Sequence, residues 1–448
     1  MPTPAVRIRA ALLTRLFAAM EQSQFDYVVM GDADRVPASV TSDVDLVVGP
    51  AVLPIFSAWL LKFCDQHRVR LIQAIQHEPT AFFYVLAVYD KSGMPHLLQL
   101  DVCSDYYRNG RRYLGAMQLI AGRERAKDQH GQPKPFWVPA PVPQFFYGVI
   151  KQIDKGTLTP EKGRRLTQAW RQAPDVCRKQ IERFWPKPEH RHLIIGAAEE
   201  NAWDLIRVHV PELRDGLHSA IQPSLGERWA EVKRRISRVL NPTGLWIALY
   251  GPDGSGKSSV MRGLIDGVEP AFWNVETMHL RPAVFERDGG DTPVTDPHGE
   301  PPRDVFTSVL KLVYYVLDYI AGYLVKVVPK LARATFVCFD RYYHDVDIDP
   351  MRYRYSGPSW LVNVLGRLVP QPDLYLFLDA DTETVLARKK EVSYLESSRQ
   401  RIAYKELSQQ LEGAYVLNAN KPLPEVVREA RRVIVEHLAA RTRLTVKA

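Results

Sequence analysis

Cysteine is scarce and scattered: Cys64, Cys103, Cys177 and Cys338 are the 4 cysteines in 448 residues, and no two form a C-x-x-C pair. That spacing excludes a disulfide framework and a zinc knuckle, and it fits a reducing compartment. Low-complexity tracts and internal repeats are also missing, which excludes a solenoid or a disordered chain. The opening stretch MPTPAVRIRAALLTRLFAAM carries arginines, but charges interrupt its apolar positions, so it lacks the continuous core of a secretory signal and a cytoplasmic protein is expected. One long apolar run, residues 305–328, has the length of a membrane span. Lys311, Asp318 and Lys326 break it, so a soluble helix is expected, with peripheral contact at the inner face of a membrane as the alternative. Its tyrosines, Tyr314, Tyr315, Tyr319 and Tyr323, are expected to pack. His190 and His192 lie two apart, unlike the i, i+4 pair of a helical zinc site, and are expected at the surface.

What is present is ordinary for a soluble globular chain: 46% hydrophobic and 25% charged residues. The length implies two or three domains, each with its own core. A net charge of +8 suits an anionic substrate, a membrane surface or nucleic acid. Charge alone does not choose among them, and no specific nucleic-acid partner is expected.

Alternating short apolar runs and turns from Phe25 to about Tyr107 predict an α/β unit, and the pattern shifts to helical spacing between about Phe145 and Leu240. The last of these helices, GERWAEVKRRISRVL, places Trp229, Val232, Ile236 and Val239 on one face, with a solvated basic face elsewhere. From Leu245 strands and helices alternate again, which predicts a parallel sheet covered by helices. The expected division is 1–115 α/β, 116–240 helical and 241–448 α/β.

The stretch GPDGSGKSS follows the apolar strand LWIALY and fills the pattern G-x-x-x-x-G-K-[ST]. Gly251, Gly254 and Gly256 let the backbone turn N–H groups onto phosphate oxygens, with Asp253, Ser255 and Ser259 completing the loop. Lys257 reaches the β- and γ-phosphates, and the Ser258 hydroxyl ligates Mg²⁺. A nucleoside triphosphate, ATP with Mg²⁺, is expected there. Phosphoryl transfer further requires cations and a carboxylate near the acceptor. ATFVCFDRYYHD ends a strand with Asp340, Arg341 and Tyr342, at the carboxyl end where ligands collect in open α/β sheets. VETMHLRPAVF supplies Arg281, and PDLYLFLDADTETVLARKKE leads a strand and helix into Arg388, Lys389 and Lys390.

The order of these motifs, followed by YVLNANKPLPEVVREARRVI, resembles the thymidylate-kinase-like group of P-loop kinases over roughly residues 245–438. The resemblance implies a kinase in which Asp253, Arg281, Arg341 and Tyr342 face the acceptor. It implies that Asp340 lies near Mg²⁺ and that Lys257, Asp340, Arg341 and Arg388 are catalytic. Arg388, Lys389, Lys390, Arg399 and Arg401 would form a cationic lid that excludes water. The segment after Arg341 departs from that group. It reads YYHDVDIDPMRYRYSGP in place of the base-recognising residues, which argues against thymidylate as acceptor. Its tyrosines and charges suit a polyhydroxylated acceptor, or else form an ordered, ion-paired loop. The longer form resembles thymidylate-kinase-like proteins of bacterial surface-polysaccharide gene clusters, which implies a nucleotide, sugar or glycan acceptor.

A second constellation lies in YVVMGDADRVPASVTSDVDLVV. Alternation along a strand points Asp43 and Asp45 to one face, and Asp101 interrupts the apolar LLQLDV, so the three could share a divalent metal. The pattern resembles the nucleotidyltransferase fold over roughly residues 25–115, with Gly31-Asp32 where that fold has Gly-Ser. An active transferase, a degenerate binding copy and coincidence all stay open. Three functions are therefore carried forward: a small-molecule kinase, a bifunctional kinase and nucleotidyltransferase, and a nucleotide-switched binding protein.

Overall fold

A computed structural model describes residues 3–31, 33, 35–40, 42–128, 130–285, 301–389 and 392–447. The chain divides into two compact units, 1–90 with 96–235 and 439–448, and 91–95 with 236–438.

The first unit holds a five-stranded mixed sheet. Its strands are β1 (Tyr27–Val29), β2 (Val44–Val48), β3 (Arg70–Glu78), β4 (Ala81–Tyr89) and β5 (Pro95–Cys103), in the order β1-β2-β5-β4-β3. β1 runs antiparallel to β2, and β2 parallel to β5. Period-two alternation decides what each face meets. Tyr27, Val29, Leu46 and Val48 pack with the apolar residues of helices Pro4–Gln22 and Leu53–His67. Val28, Met30 and Val47 join a second core with Phe145, Ile150, Trp170, Trp185 and Trp203 of the helical middle. The helical region therefore shares a core with the sheet. Two hairpins follow, β6 (Tyr106–Arg108) with β7 (Arg111–Leu114), and β8 (Glu124–Lys127) with β9 (Pro133–Val138).

His190, expected at the surface, is buried beneath Gly216, where an added Cβ would stand 2.5 Å from the imidazole Nδ1. The helix Leu225–Leu240 buries no residue; Trp229, Val232, Ile236 and Val239 are exposed to solvent.

The second unit is a five-stranded sheet whose four pairings are all parallel, with β10 (Leu245–Tyr250), β11 (Asn274–His279), β12 (Thr335–Asp340), β13 (Leu374–Asp379) and β14 (Ala414–Asn418) in the order β11-β12-β10-β13-β14. β10 is buried along its whole length, as a central parallel strand covered on both faces must be. The apolar run folds as one long helix, Val305–Ala332, and it is the one described helix long and apolar enough to cross a membrane. Its residues Leu312, Tyr315, Val316 and Tyr319 pack into the core with Trp246, Tyr250 and Phe339.

Candidate functional site

β10 leaves the sheet between β12 and β13 and runs straight into the glycine loop. Gly251, Gly254 and Gly256 adopt φ of 144°, 85° and 97°, values that side chains disfavour. Space is short as well: a Cβ on Gly254 would stand 2.8 Å from the Val385 carbonyl oxygen and 3.3 Å from Lys389 Cβ. The loop opens helix Lys257–Val268, whose first N–H groups and dipole favour an anion, and Ser258 and Ser259 are exposed at that end. Lys257 is buried; its Nζ donates to the carbonyls of Gly251 (2.7 Å) and Pro252 (3.1 Å). Burial, with Arg341 nearby, lowers its pKa to about 8.

β12 ends beside the loop. Asp340 Oδ1 is buried without a hydrogen-bond partner among the described residues, while Oδ2 lies 3.8 Å from His279 Nδ1. Arg341 turns to φ 71°, its N–H bonds Leu249 O, and its buried guanidinium donates to Asp345 Oδ2 (2.7 Å) and to Asp253. Asp345 is fully buried and also accepts from the hydroxyls of Tyr353 and Tyr404. Burial opposes its charge, but Arg341 and these hydroxyls outweigh burial and hold the carboxyl below its ordinary range. Arg352 donates to Asp253 and is itself oriented by Asp349 through Nε at 3.3 Å. Sequence reasoning grouped Arg352 with the other charged residues of YYHDVDIDPMRYRYSGP, as an acceptor contact or part of an ion-paired loop, and did not connect it to the glycine loop.

Two expectations need correction here. Tyr342, placed at the acceptor, is 1% exposed, stacks edge-on against Trp246, Tyr319 and Phe339, and donates to Pro370 O, so it is a core residue. The tyrosines expected to meet a polyhydroxylated acceptor are committed internally: Tyr343 to Val362 O, Tyr353 to Asp345 and Tyr355 to Pro358 O. The segment is the ordered, ion-paired loop of the alternative reading.

Arg281 is held by the long helix. Asp318, completely buried in that helix, accepts from Arg281 (3.1 Å) and from the N–H groups of Ala283, Val284 and Phe285. Lys326 donates to Pro282 O (2.6 Å) and Ala283 O (3.2 Å). Two of the charges that break the apolar run thus fasten the Arg281 turn. The third, Lys311, lines a small pocket with Arg303, Arg354, Tyr315 and Tyr353, and burial together with these arginines and Arg281 lowers its pKa to about 8.

Among the residues expected to form a lid, Arg388 ends helix Thr382–Arg388 and bonds Ala419 O. Arg399 bonds Glu396 and Ile348 O, and Arg401 bonds Asp379 and Asp381. Lys390, like Asp32 of the first unit, lies outside the described residues. A cavity of about 1060 Å³ borders Asp373, Leu374 and Gly413 at the amino ends of β13 and β14, the end away from the loop.

In the first unit, carboxylate oxygens of Asp43, Asp45 and Asp101 lie within 4.8 Å of one another. Asp45 pairs in register with Asp101, and its parity with Val47 turns it toward the helical middle. There Lys151 Nζ donates to Asp45 at 2.5 Å and to Tyr147 Oη at 3.0 Å, while His77 Nε2 meets Asp101 at 2.8 Å. Desolvation and its two acidic neighbours push Asp43 above the usual carboxylate range. A cavity of about 400 Å³ adjoins, lined by Gly31, Asp43 and Asp45 and by Lys151, Lys155, Lys162 and Arg165.

No family model matches the chain. Over 222 residues it is 28% identical to a thymidylate kinase of Xanthomonas campestris pv. campestris (strain B100), covering 46% of this chain and 89% of that protein. It is 29% identical over 224 residues to a thymidylate kinase of Xanthomonas oryzae pv. oryzae (strain PXO99A), covering 45% and 88%. These matches fall on the C-terminal half. With the parallel sheet, the glycine-turned loop and the buried lysine at its end, the second unit has a P-loop kinase fold and is similar to thymidylate kinases.

Proposed function

We propose that the protein is an ATP- and Mg²⁺-dependent kinase that transfers the γ-phosphoryl group to a small-molecule acceptor. The observation that carries this reading is buried Lys257, at the end of a loop with three glycines at positive φ, beside Asp340 and Arg341. Loop N–H groups would cradle the phosphates, and Lys257 would exchange the carbonyls of Gly251 and Pro252 for the triphosphate. The residues present fit magnesium: Ser258 is exposed at the helix start, and Asp340 keeps a buried oxygen without a hydrogen-bond partner among the described residues. Bound there, the ion would neutralise charge on the β- and γ-phosphates. Arg341 would meet the transferring group, and Arg388, next to a residue that abuts Gly254, would close over it.

The acceptor is a nucleotide, sugar or glycan of surface-polysaccharide synthesis. The cations Arg281, Arg303, Lys311 and Arg354 favour one that carries an anionic group, because their mutual repulsion is relieved by a negative ligand. Incubation with γ-labelled ATP and a panel of nucleotides (thymidylate included), sugar phosphates and glycan fragments tests this reading. A labelled acceptor is expected, and Lys257→Ala should abolish labelling while the chain stays folded. ATP-dependent association with a partner and no labelled product would instead favour a nucleotide-switched binding protein.

A second activity, nucleotidyl transfer by the first unit, is supported by the three carboxylates beside a cation-lined cavity. If every nucleotide-dependent activity survives in an Asp43→Ala/Asp45→Ala variant, the bifunctional reading fails.

A further inference from the structure

One carboxylate gathers the cations of the phosphate site. Asp253, on the loop itself, takes Arg341 Nη2 on Oδ1 and Arg352 Nη2 on Oδ2, with Lys257 Nζ 3.5 Å from Oδ1. Each guanidinium is steered by a second, almost fully buried carboxylate: Asp345 holds Arg341 and Asp349 holds Arg352. Those outer pairs would persist if Asp253 let go, so both Nη2 groups would stay aimed at one point beside the loop lysine. A phosphoryl group offers oxygens to forked guanidiniums as a carboxylate does, with a third oxygen to spare.

We propose that Arg352 is a catalytic residue of the transfer, and that Asp253 holds it in reserve against transfer to water. The inference rests on the kinase reading above. In the step, the bond between the γ-phosphorus and the bridging oxygen breaks, and ADP leaves with the electron pair. An acceptor oxygen forms the new bond, and a hydroxyl acceptor loses its proton to solvent. Arg341 and Arg352 stay charged throughout and donate N–H bonds to oxygens that gain charge between ground state and transition state. Asp253 competes for the same N–H groups until a bound acceptor positions the phosphoryl group against them.

Water can serve as acceptor, so the test needs no identified substrate. Mg·ATP binding is measured by calorimetry and acceptor-independent ATP hydrolysis by phosphate release, in wild type, Asp253→Asn, Asp253→Asn/Arg352→Ala and Asp253→Asn/Arg352→Lys. Asp253→Asn should raise hydrolysis at least about fivefold through kcat, with the Mg·ATP Kd within about twofold. Adding Arg352→Ala should lower kcat about 100-fold from that level, the size of losing one preorganised donor to developing charge. Arg352→Lys should recover part of it. Absence of any gain in Asp253→Asn, or a gain that survives Arg352→Ala, overturns the proposal. So does a loss in which Mg·ATP affinity falls in step with rate, since that marks Arg352 as a structural strap. Wild-type protein that binds no Mg·ATP overturns the kinase reading and this inference with it.

Discussion

Replacing Asp345 with asparagine should destabilise the second unit by about 3–5 kcal/mol at neutral pH, the range for breaking a buried ion pair from one side. Asp345 is fully buried and accepts three hydrogen bonds, from Arg341 (2.7 Å), Tyr353 (2.7 Å) and Tyr404. Asparagine keeps one acceptor oxygen and presents an amide donor where the other stood. At least one buried donor then faces another donor, at about 1–3 kcal/mol. Arg341 also loses a buried counter-charge, although Asp253 remains. For a unit of this size about 4 kcal/mol corresponds to roughly 8–16 °C in Tm, readable by scanning calorimetry or tryptophan fluorescence. The pH dependence follows from the direction of the shift. Arg341 and the hydroxyls, against burial, hold the folded carboxyl below its ordinary value. Its contribution is therefore fully present above the unfolded pKa near ~4, and is lost as pH falls through the lower folded value. The gap between wild type and Asp345→Asn should narrow on acidification. A gap under about 1 kcal/mol at pH ~7, or one that stays constant down to pH ~3, would refute the argument.

Gly254→Ala should cost about 1–3 kcal/mol and abolish Mg·ATP binding in a calorimetric titration, because the residue sits at φ 85° with a Cβ only 2.8 Å from Val385 O. Asp318→Ala removes the buried acceptor shared by Arg281 and three backbone N–H groups, so thermal unfolding should show a loss of about 3–5 kcal/mol. In the first unit Asp45→Asn removes a charge partner of Lys151, a pair about one-fifth exposed on each side, and urea unfolding should show a loss of about 1 kcal/mol, because relief of repulsion with Asp43 and Asp101 offsets part of the lost pair.

The phosphate loop was legible because its chemistry demands glycines, a lysine and a hydroxyl at fixed spacing, and the apolar strand before it announced the sheet. Asp43, Asp45 and Asp101 were legible for a different reason: alternation and an acid inside an apolar run are both local signals. The role of Asp318 was not legible. Its partners are N–H groups of a turn more than thirty residues away in sequence, and no side-chain pattern marks a backbone donor. Tyr342 misled because a tyrosine after an Asp-Arg pair looks like a substrate group, whereas the sheet's end packs it under Trp246 and Tyr319. His190 failed similarly, since two apart on a helix places His190 and His192 on different faces and only one of them meets Gly216. In each miss the deciding partner came from another element.

Each unit solves the same electrostatic problem with the sign reversed. Three carboxylates within 4.8 Å would repel strongly in a partly desolvated site, and the Lys151 ammonium on Asp45 offsets that repulsion, with His77 hydrogen-bonded to Asp101. Three cations beside the phosphate loop would repel likewise, and Asp253 offsets them. The internal counter-charge lets such a cluster fold, and it also sets what a ligand must do. A divalent ion at Asp45 would have to compete with an ammonium, and a phosphoryl group at Arg341 with a carboxylate. Ligands of weak charge would gain little from either exchange, so on the proposed function a metal ion would suit the one cluster and a phosphoryl group the other.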